Sequence, residues 1–548
     1  MTTFSRNPSA RLVAIGQDAR TGEWYRVFRV RDPHGHEKQV AVPFSANAVT
    51  LYGTLARAGW PDMLSAAERK ALLADCRGER PRRHVQIVST PGWAKAGVFV
   101  TPWRTYPHDA DLVANFGGHM ANHRFAVSGS LKRWQTEVAA PLRKNSTAMF
   151  GVMVAFAGPL MKILRVESGG FHLVGPSSIG KSSIIAASGS VWGGGGPLGF
   201  AQSYSVKRNA LDVIAAVHSD CFLAMDEARL GGETRREAAA TILHAAYRFS
   251  AGEEKVRWTD QAVRLTWRLM FLGSSEDSLG ELARYAGEPV SLGQRVRIID
   301  IAADAGRGMG VWEELHGLAA TPARFSDLIR ERAHEIHGCP ADAYLPQLTE
   351  WAGRDEGGLA SWLEARMEFC LRALGADRAN GARARIARRF ALVYAAGCLA
   401  AEFGILPWTR KEMLQAVKDC YGRVILPPDA LIEHTPERSI AAVRDYIERN
   451  KHRFIDTGSR RRPVTKEDLQ SAGGAVHRGH DGTREFLFTN AQFRGEICDG
   501  LPADQVYADL KAAMLVHCQA GGKWGVTRDL PEPLGRVRMI SVKQAILE

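Results

Sequence analysis

The sequence predicts an α/β fold: a core of alternating strands and helices, preceded by a mixed α+β module and followed by a helical region and a smaller C-terminal module. Three observations carry that reading. The stretch GFHLVGPSSIGKSS, Gly170 to Ser183, sets an apolar run before the pattern GxxxxGKS and a helix-forming run after it, which is strand, loop, helix. The stretch CFLAMDEA, Cys221 to Ala228, is a second apolar strand, and it ends in two carboxylates. Strand-rich, helix-rich and mixed stretches then succeed one another along 548 residues, enough chain for roughly three or four domains.

Residues 1–125 form the first module. EWYRVFRV and QVAVPF gather β-formers on either side of DPHGHE, Asp32 to Glu37, a hairpin signal. A helix starts at Ser65, where Ser65 as N-cap and Glu68 three residues later make a capping box. HVQIV and VFVTPW return to strand. The core, residues 126–310, opens with the helical stretches SGSLKRWQTEVAAPLRK and STAMFGVMVAFAGPLMKIL, which lead into the glycine loop.

That loop has a defined chemistry. Gly175 and Gly180 let the backbone wrap its N–H groups around phosphates, with Pro176, Ser177, Ser178 and Ile179 between them. Lys181 reaches the outer phosphates, Ser182 places a hydroxyl on Mg²⁺, and the helix that begins there, continuing through Ser183, aims its positive end at the same anion. Gly175 to Ser183 are therefore the candidate ATP-binding residues. Asp226 lies about forty-five residues after the lysine, the spacing of a Walker B strand beside the phosphate-loop strand. Asp226 would hold Mg²⁺, partly through water, together with Ser182, and Glu227 would polarise the attacking water. GGGG, Gly193 to Gly196, lacks a following Lys or Ser/Thr and reads as a flexible loop rather than a second cradle.

Composition narrows the class. A formal net charge of +12 favours a polyanionic partner, although a basic solvated surface has the same balance. No apolar run reaches membrane-helix length and the N-terminal stretch lacks a secretory apolar segment, so a cytoplasmic protein with no membrane partner is expected. The eight cysteines are scattered without metal-ligand spacing and read as reduced.

Beyond Asp226, EEKVRWTDQAVRLTW, Glu253 to Trp267, reads as a hairpin with Lys255, Arg257 and Arg264 alternating with apolar residues beside Trp258. A solvated surface hairpin would look the same. The functional reading is a DNA grip, Lys255 and Arg257 on phosphates and Trp258 on a base. RLMFLGSSED forms another strand ending in Ser274 and Ser275, either of which would sense the outer phosphate. LGQRVRIIDI sets Arg295 and Arg297 on one face of a strand entrance, either an arginine finger toward a neighbour's ATP or plain surface arginines.

The order GW (Gly92-Trp93), GSLKRWQTEVA, AFAGPLMKIL, GFHLVGPSSIGKSS, SVWGGG, LAMDEA, TWRLMFLGSSE, GQRVRIIDI resembles the family catalogued as domain of unknown function 927, helicase-like ATPases of phages, plasmids and genomic islands. The resemblance runs from about Val13 to Ala303. It implies an AAA+-like core similar to superfamily 3 and minichromosome-maintenance helicases, with ring-forming subunits that bind ATP between neighbours, a hexamer favoured. By position it gives Lys181, Ser182, Asp226 and Glu227 the Walker roles, Ser274 or Ser275 the first sensor with Ser275 carried as the catalytic candidate, Arg295 the finger, and Lys255 and Arg257 a DNA-tracking hairpin. Ser182 stands where many relatives have Thr, and the serines stand where related helicases often have Asn.

Residues 311–428 are strongly helical and are expected to form a lid. Within ARARIARRFALVYAAGCLAAEFGILPW, Arg388 or Arg389 would fold back onto the nucleotide, or the arginines form a solvated first turn. Residues 436–548 mix helices (SIAAVRDYIERNK, KEDLQSAG, ADQVYADLKAAML) with the strands REFLFT and RVRMISV, resembling a winged helix, with Arg460 to Arg462 on a loop before its second helix. The expected function is an ATP-dependent DNA helicase or translocase that replicates a mobile element with a partner replication protein. The alternative is an ATPase that remodels or loads protein complexes without unwinding. A nucleotide switch without turnover would have no use for Glu227.

Overall fold

The computed structural model describes residues 9–60, 65–77, 83–109, 111–116, 123–196, 199–204, 208–226, 234–253, 265–287, 296–376, 381–425, 436–457, 464–478, 482–498, 501, 503–518, 524–530, 532 and 534–547. Glu227, Lys255, Arg257, Trp258, Arg264, Arg295 and Arg460 to Arg462 lie outside them. The chain divides into two compact units, one holding residues 1–380 and 384–425, the other residues 426–548 with 381–383.

The first unit opens with a five-stranded sheet in the order β3-β2-β1-β4-β8. Its strands are β1 (Ser9–Asp18), β2 (Trp24–Arg31), β3 (Glu37–Pro43), β4 (His84–Val88) and β8 (Leu112–Ala114). The β2–β3 hairpin closes where the sequence expects it, with Asp32 Oδ1 accepting from the N–H groups of His34 and His36. Helices α1 (Ala48–Arg57) and α2 (Ala66–Arg77) cover part of one face, seating Leu51, Leu55 and Leu72 on Phe28, Val30 and Val42. The capping box at Ser65 and Glu68 is present.

A three-stranded sheet of β5 (Gly92–Lys95), β6 (Val98–Val100) and β7 (Thr105–Tyr106) fixes this module to the core of the same unit. Trp93 donates its backbone N–H to Asp220 Oδ2 and its indole N–H to the Pro159 carbonyl. A Cβ at Gly92 would lie 2.5 Å from Asp220 Oδ2, so only glycine permits this approach. Asp220 is also paired with Arg268 at 2.7 Å.

The stretch SLKRWQTEVAAPL is helical but not uniform: α3 (Leu131–Trp134) widens over Gln135–Ala139 and tightens over Ala140–Leu142, where Pro141 removes a donor. Next come α4 (Ser146–Ala157), buried at every position, and α5 (Leu160–Ile163), separated by Gly158-Pro159. The central sheet is wholly parallel, in the order β10-β11-β12-β9-β13. Its strands are β9 (Gly169–Val174), β10 (Gln202–Ser203), β11 (Phe222–Asp226), β12 (Met270–Ser275) and β13 (Ile298–Ala302). Near-continuous apolar residues such as FLAM and MFL are what a sheet covered on both faces requires. Helices α6 (Lys181–Gly189), α7 (Arg208–Val217), α8 (Arg235–Ala251) and α9 (Leu279–Ala286) connect the strands, and Thr234 and Ser278 start the last two with capping boxes.

After β13 the unit is helical, with α10 (Pro322–Glu335), α11 (Cys339–Ala373), α12 (Gly381–Glu402) and α13 (Arg410–Gly422). The helix α11 bends at Asp355, whose φ of −158° is not helical.

The second unit holds α14 (Pro436–Arg449), α15 (Lys466–Ser471), α16 (Asn490–Gln492) and α17 (Ala503–Ala512). Its sheet has five strands in the order β14-β15-β16-β18-β17: β14 (Phe454–Asp456), β15 (Gly474–Arg478), β16 (Arg484–Phe488), β17 (Val526–Leu530) and β18 (Gly535–Lys543). That is more sheet than REFLFT and RVRMISV announce, because GAVHR and VTRDL carry charges that mask their pairing. Among the described residues no helix is long and apolar enough to cross a membrane.

Candidate nucleotide site

The site lies at the C-terminal edge of the parallel sheet, where β9 runs into the glycine loop. Ser178 and Gly180 both take left-handed backbone, φ 64° and 105°, inside the tight turn that precedes α6. A left-handed residue within such a turn gathers successive N–H groups into an anion-sized concavity. Lys181 is buried, and its ammonium donates to the carbonyls of Gly175 at 2.6 Å and Pro176 at 2.7 Å, holding the charge over the loop.

Strand register brings the acid to the loop. Met225 pairs with Gly273, so Asp226 stands beside Ser274 at the sheet edge. Asp226 Oδ1 accepts from Ser182 Oγ at 3.2 Å and from Ser274 Oγ at 2.9 Å. One carboxylate oxygen thus joins two strand ends and the first turn of α6.

Ser275, the sensing serine carried from the sequence, turns the other way. Successive side chains on a strand alternate faces, and Ser275 is fully buried with its hydroxyl on the Asp277 carbonyl at 2.5 Å. Of the two serines it is Ser274 whose hydroxyl meets Asp226. Ser183 is buried in the cleft wall, donating to the Ser326 carbonyl at 3.1 Å.

Sequence reasoning missed the lining supplied by α10. Trp312 Nε1 donates to Ser326 Oγ at 2.8 Å, and Phe325, Ile329 and Ala333 are fully buried, so this helix is fixed against α6. The segment before it clamps the loop tip, Val311 donating its N–H to the Ile179 carbonyl at 3.0 Å. A cleft of about 780 Å³ results, lined by Ser177, Lys181, Ser182, Asp226, Ser274 and, from α10, Arg330. Arg330 pairs with Asp327 on its own helix. A second hollow of about 550 Å³ shares Ser182, Asp226, Asp327 and Arg330 and extends toward His334 and Arg124. The helical character of residues 311–428 and the Thr321-Pro322 start mark α10 as a helix but announce no chemistry.

The GGGG run is packed rather than flexible. A Cβ on Gly196 would sit 2.6 Å from His334 Nδ1 and one on Gly193 2.4 Å from the Arg124 carbonyl, while the Gly195 N–H donates to the Ala333 carbonyl. These glycines let α10 lie against the end of α6.

The arginines fall at the opposite edge of the sheet. Arg297 precedes β13, pairs with Glu167 at 2.9 Å, and gives its carbonyl to the Gly170 N–H. Five residue steps along β9 separate that edge from the phosphate loop, about 17 Å. Arg389 is buried there too, one guanidinium nitrogen 3.5 Å from the Glu167 carbonyl, and burial draws its pKa down to about 10. It lies at the far end of β9 from the glycine loop, away from where the lid reading would put it, and Arg388 is exposed.

The family model that matches the sequence is described as domain of unknown function (DUF927) and covers residues 7–262. Over these residues the chain resembles that family. The match takes in the N-terminal sheet, the phosphate loop and Asp226, and stops before Ser274, β13 and α10. Among solved structures, one described as "SCCmec type IV Cch - active helicase" is similar over 100% of this chain and 96% of that chain, with a TM-score of 0.57 and 15% identity. At that identity the likeness is one of fold, a mixed α/β architecture that includes residues 7–262 and continues beyond them. No curated protein matches the sequence.

Proposed function

We propose that the chain is an ATP-dependent DNA helicase or translocase of a mobile genetic element, working as a ring of identical subunits. The observation that carries it is the meeting of Ser182 and Ser274 on Asp226 beside Lys181, at the edge of a parallel sheet whose order places the phosphate-loop strand between β12 and β13. That order suits an AAA+-like core, residues 311–428 would be its lid, and the C-terminal unit would serve as a winged-helix-like DNA contact. The helicase named by the similar structure supports the direction of the reading.

The residues present fit Mg²⁺, since a hydroxyl and a carboxylate are hard oxygen donors that leave room for water and phosphate. Ser182 and Asp226 would hold it, and the ion would supply electrostatic stabilisation of phosphate charge. Lys181 orients the outer phosphates, Ser274 fixes Asp226, and Glu227, next in sequence, orients the attacking water. Arg297 sits at the far edge from its own loop, so a finger from this segment serves a neighbour, with Arg295 as the proposed residue. Lys255, Arg257 and Trp258 are proposed to grip the strand.

Unwinding of forked DNA tests the reading. The parent should separate the strands only with ATP, Lys181→Ala should do neither step, and Glu227→Gln should retain ATP without turnover. ATP turnover without strand separation, whatever the fork, would favour complex remodelling instead.

A further inference from the structure

At one end of the N-terminal sheet, the face that α1 and α2 roof elsewhere presents exposed aromatic and polar side chains around a buried Ile15. The register defines what is exposed there. Gln17 of β1 lies between Trp24 of β2 and Gln86 of β4, and in the next row Ile15 lies between Arg26 and His84. Phe44 extends the first row, donating its N–H to the Trp24 carbonyl. Trp24, Arg26, Gln17, Gln86 and His84 therefore share a face, the one on which Phe28 and Val30 meet the helices further along.

The side chains are arranged as a platform. Trp24 is 41% exposed, with its ring 6.5 Å from that of Phe44. The Arg26 guanidinium lies over the Phe44 ring at 4.3 Å and donates to the Phe44 carbonyl at 3.3 Å, so it is held flat and ready. Gln17 and His84 are exposed and Gln86 half-buried. Glu23, the nearby acid, accepts from Tyr25, which points to the opposite face, and from Ser45. An exposed tryptophan beside a stacked arginine, flanked by two amides, is not needed for the packing of this sheet, whose apolar clusters close elsewhere.

We propose that this end of the sheet binds single-stranded nucleic acid: Trp24 and Phe44 stack on bases, Gln17 and Gln86 meet base edges, and Arg26 and His84 face phosphates. The charge is complementary, and the chain as a whole is basic. A duplex is the wrong occupant, since its bases are already stacked and only a single strand can splay them onto aromatic rings. The inference rests on this sheet and not on the nucleotide site, so either can fail alone.

Photocrosslinking decides it. Full-length protein without nucleotide is irradiated with an oligothymidylate carrying 5-iododeoxyuridine, then digested with trypsin. Crosslinks are expected on the Trp24 peptide, residues 21–26, or the Phe44 peptide, residues 39–57. In parallel, Trp24→Ala should weaken single-strand binding about 5- to 150-fold, with Trp24→Phe recovering most of it. Crosslinks on neither peptide, or a folded Trp24→Ala protein that binds like the parent, would overturn the proposal, and unaltered ATP turnover in the same samples would show that the nucleotide reading stands regardless.

Discussion

Substituting Gly180 separates the shape of the phosphate loop from its charge. Gly180 has φ 105°, and a Cβ there would come within 2.7 Å of Val311 Cγ2, with Ser326 Oγ and Trp312 Nε1 just over 3 Å away. Val311 and Trp312 are fully buried and cannot yield. A left-handed non-glycine residue costs roughly 1–2 kcal/mol and overpacking roughly 1–3 kcal/mol, so Gly180→Ala should lose about 2–5 kcal/mol. At roughly 2–4 °C per kcal/mol for a domain of this size, the melting midpoint should drop on the order of 10 °C. Lys181→Ala, next in sequence, removes a charge and two hydrogen bonds to loop carbonyls but introduces no clash, so it should melt closer to the parent than Gly180→Ala while losing its grip on ATP. Thermal unfolding and binding of a fluorescent ATP analogue, run on both variants, test the contrast. A Gly180→Ala protein that melts and binds like the parent would show that the segment around Val311 does not press on the loop.

Three further outcomes rest on the same geometry. Ser274→Ala should slow ATP turnover because it frees Asp226, whereas Ser275→Ala should act on stability, losing a buried hydrogen bond worth about 1 kcal/mol; steady-state kinetics with thermal melts would distinguish them, and the reverse pattern would restore Ser275 as the sensing residue. Arg330→Ala should lower turnover by about tenfold or more, and mixing it with Lys181→Ala subunits should not rescue activity, since both residues line one cleft; rescue would place Arg330 across an interface. In the C-terminal unit, burial raises the Glu485 carboxyl, but Arg528 at 2.6 and 2.7 Å and the Ser541 hydroxyl outweigh it and hold its pKa below the ordinary value. A lowered pKa stabilises the fold above the unfolded value near 4.3 and loses that contribution as pH falls through the folded one. Denaturant midpoints should therefore fall below about pH 4.3 in the parent, and Glu485→Gln should be weaker at neutral pH with a flatter acid limb.

What the sequence could show depended on how local the signal was. The glycine loop is legible because its chemistry is written in eight consecutive residues, and the Ser65 and Glu68 capping box because it spans one turn. The Asp226 contact with Ser182 is long-range, but a strand ending in a carboxylate announces it. The choice between Ser274 and Ser275 was illegible, because facing depends on the register with β11, which no single strand contains. Arg330 and the glycine run from Gly193 to Gly196 were misread or missed for a related reason: their meaning is the approach of α10 to α6, a contact between segments more than a hundred residues apart. Arg389 looked like a free cation near a helix start and is a buried one at the far edge of the sheet.

Trp93 and Asp220 join the β5–β7 sheet to the strands of the parallel sheet. The indole holds the Pro159 carbonyl, the backbone beside it holds the carboxylate, and that carboxylate, two residues before β11, is clasped by Arg268 just ahead of β12. These contacts tether the module at the joint with the parallel-sheet core, so on the proposed ATPase reading a tilt of β11 and β12 as phosphate leaves would pass through this joint. Loosening the joint, for example with Trp93→Ala, would cost stroke rather than chemistry: ATP would still be spent, and less distance gained for each one.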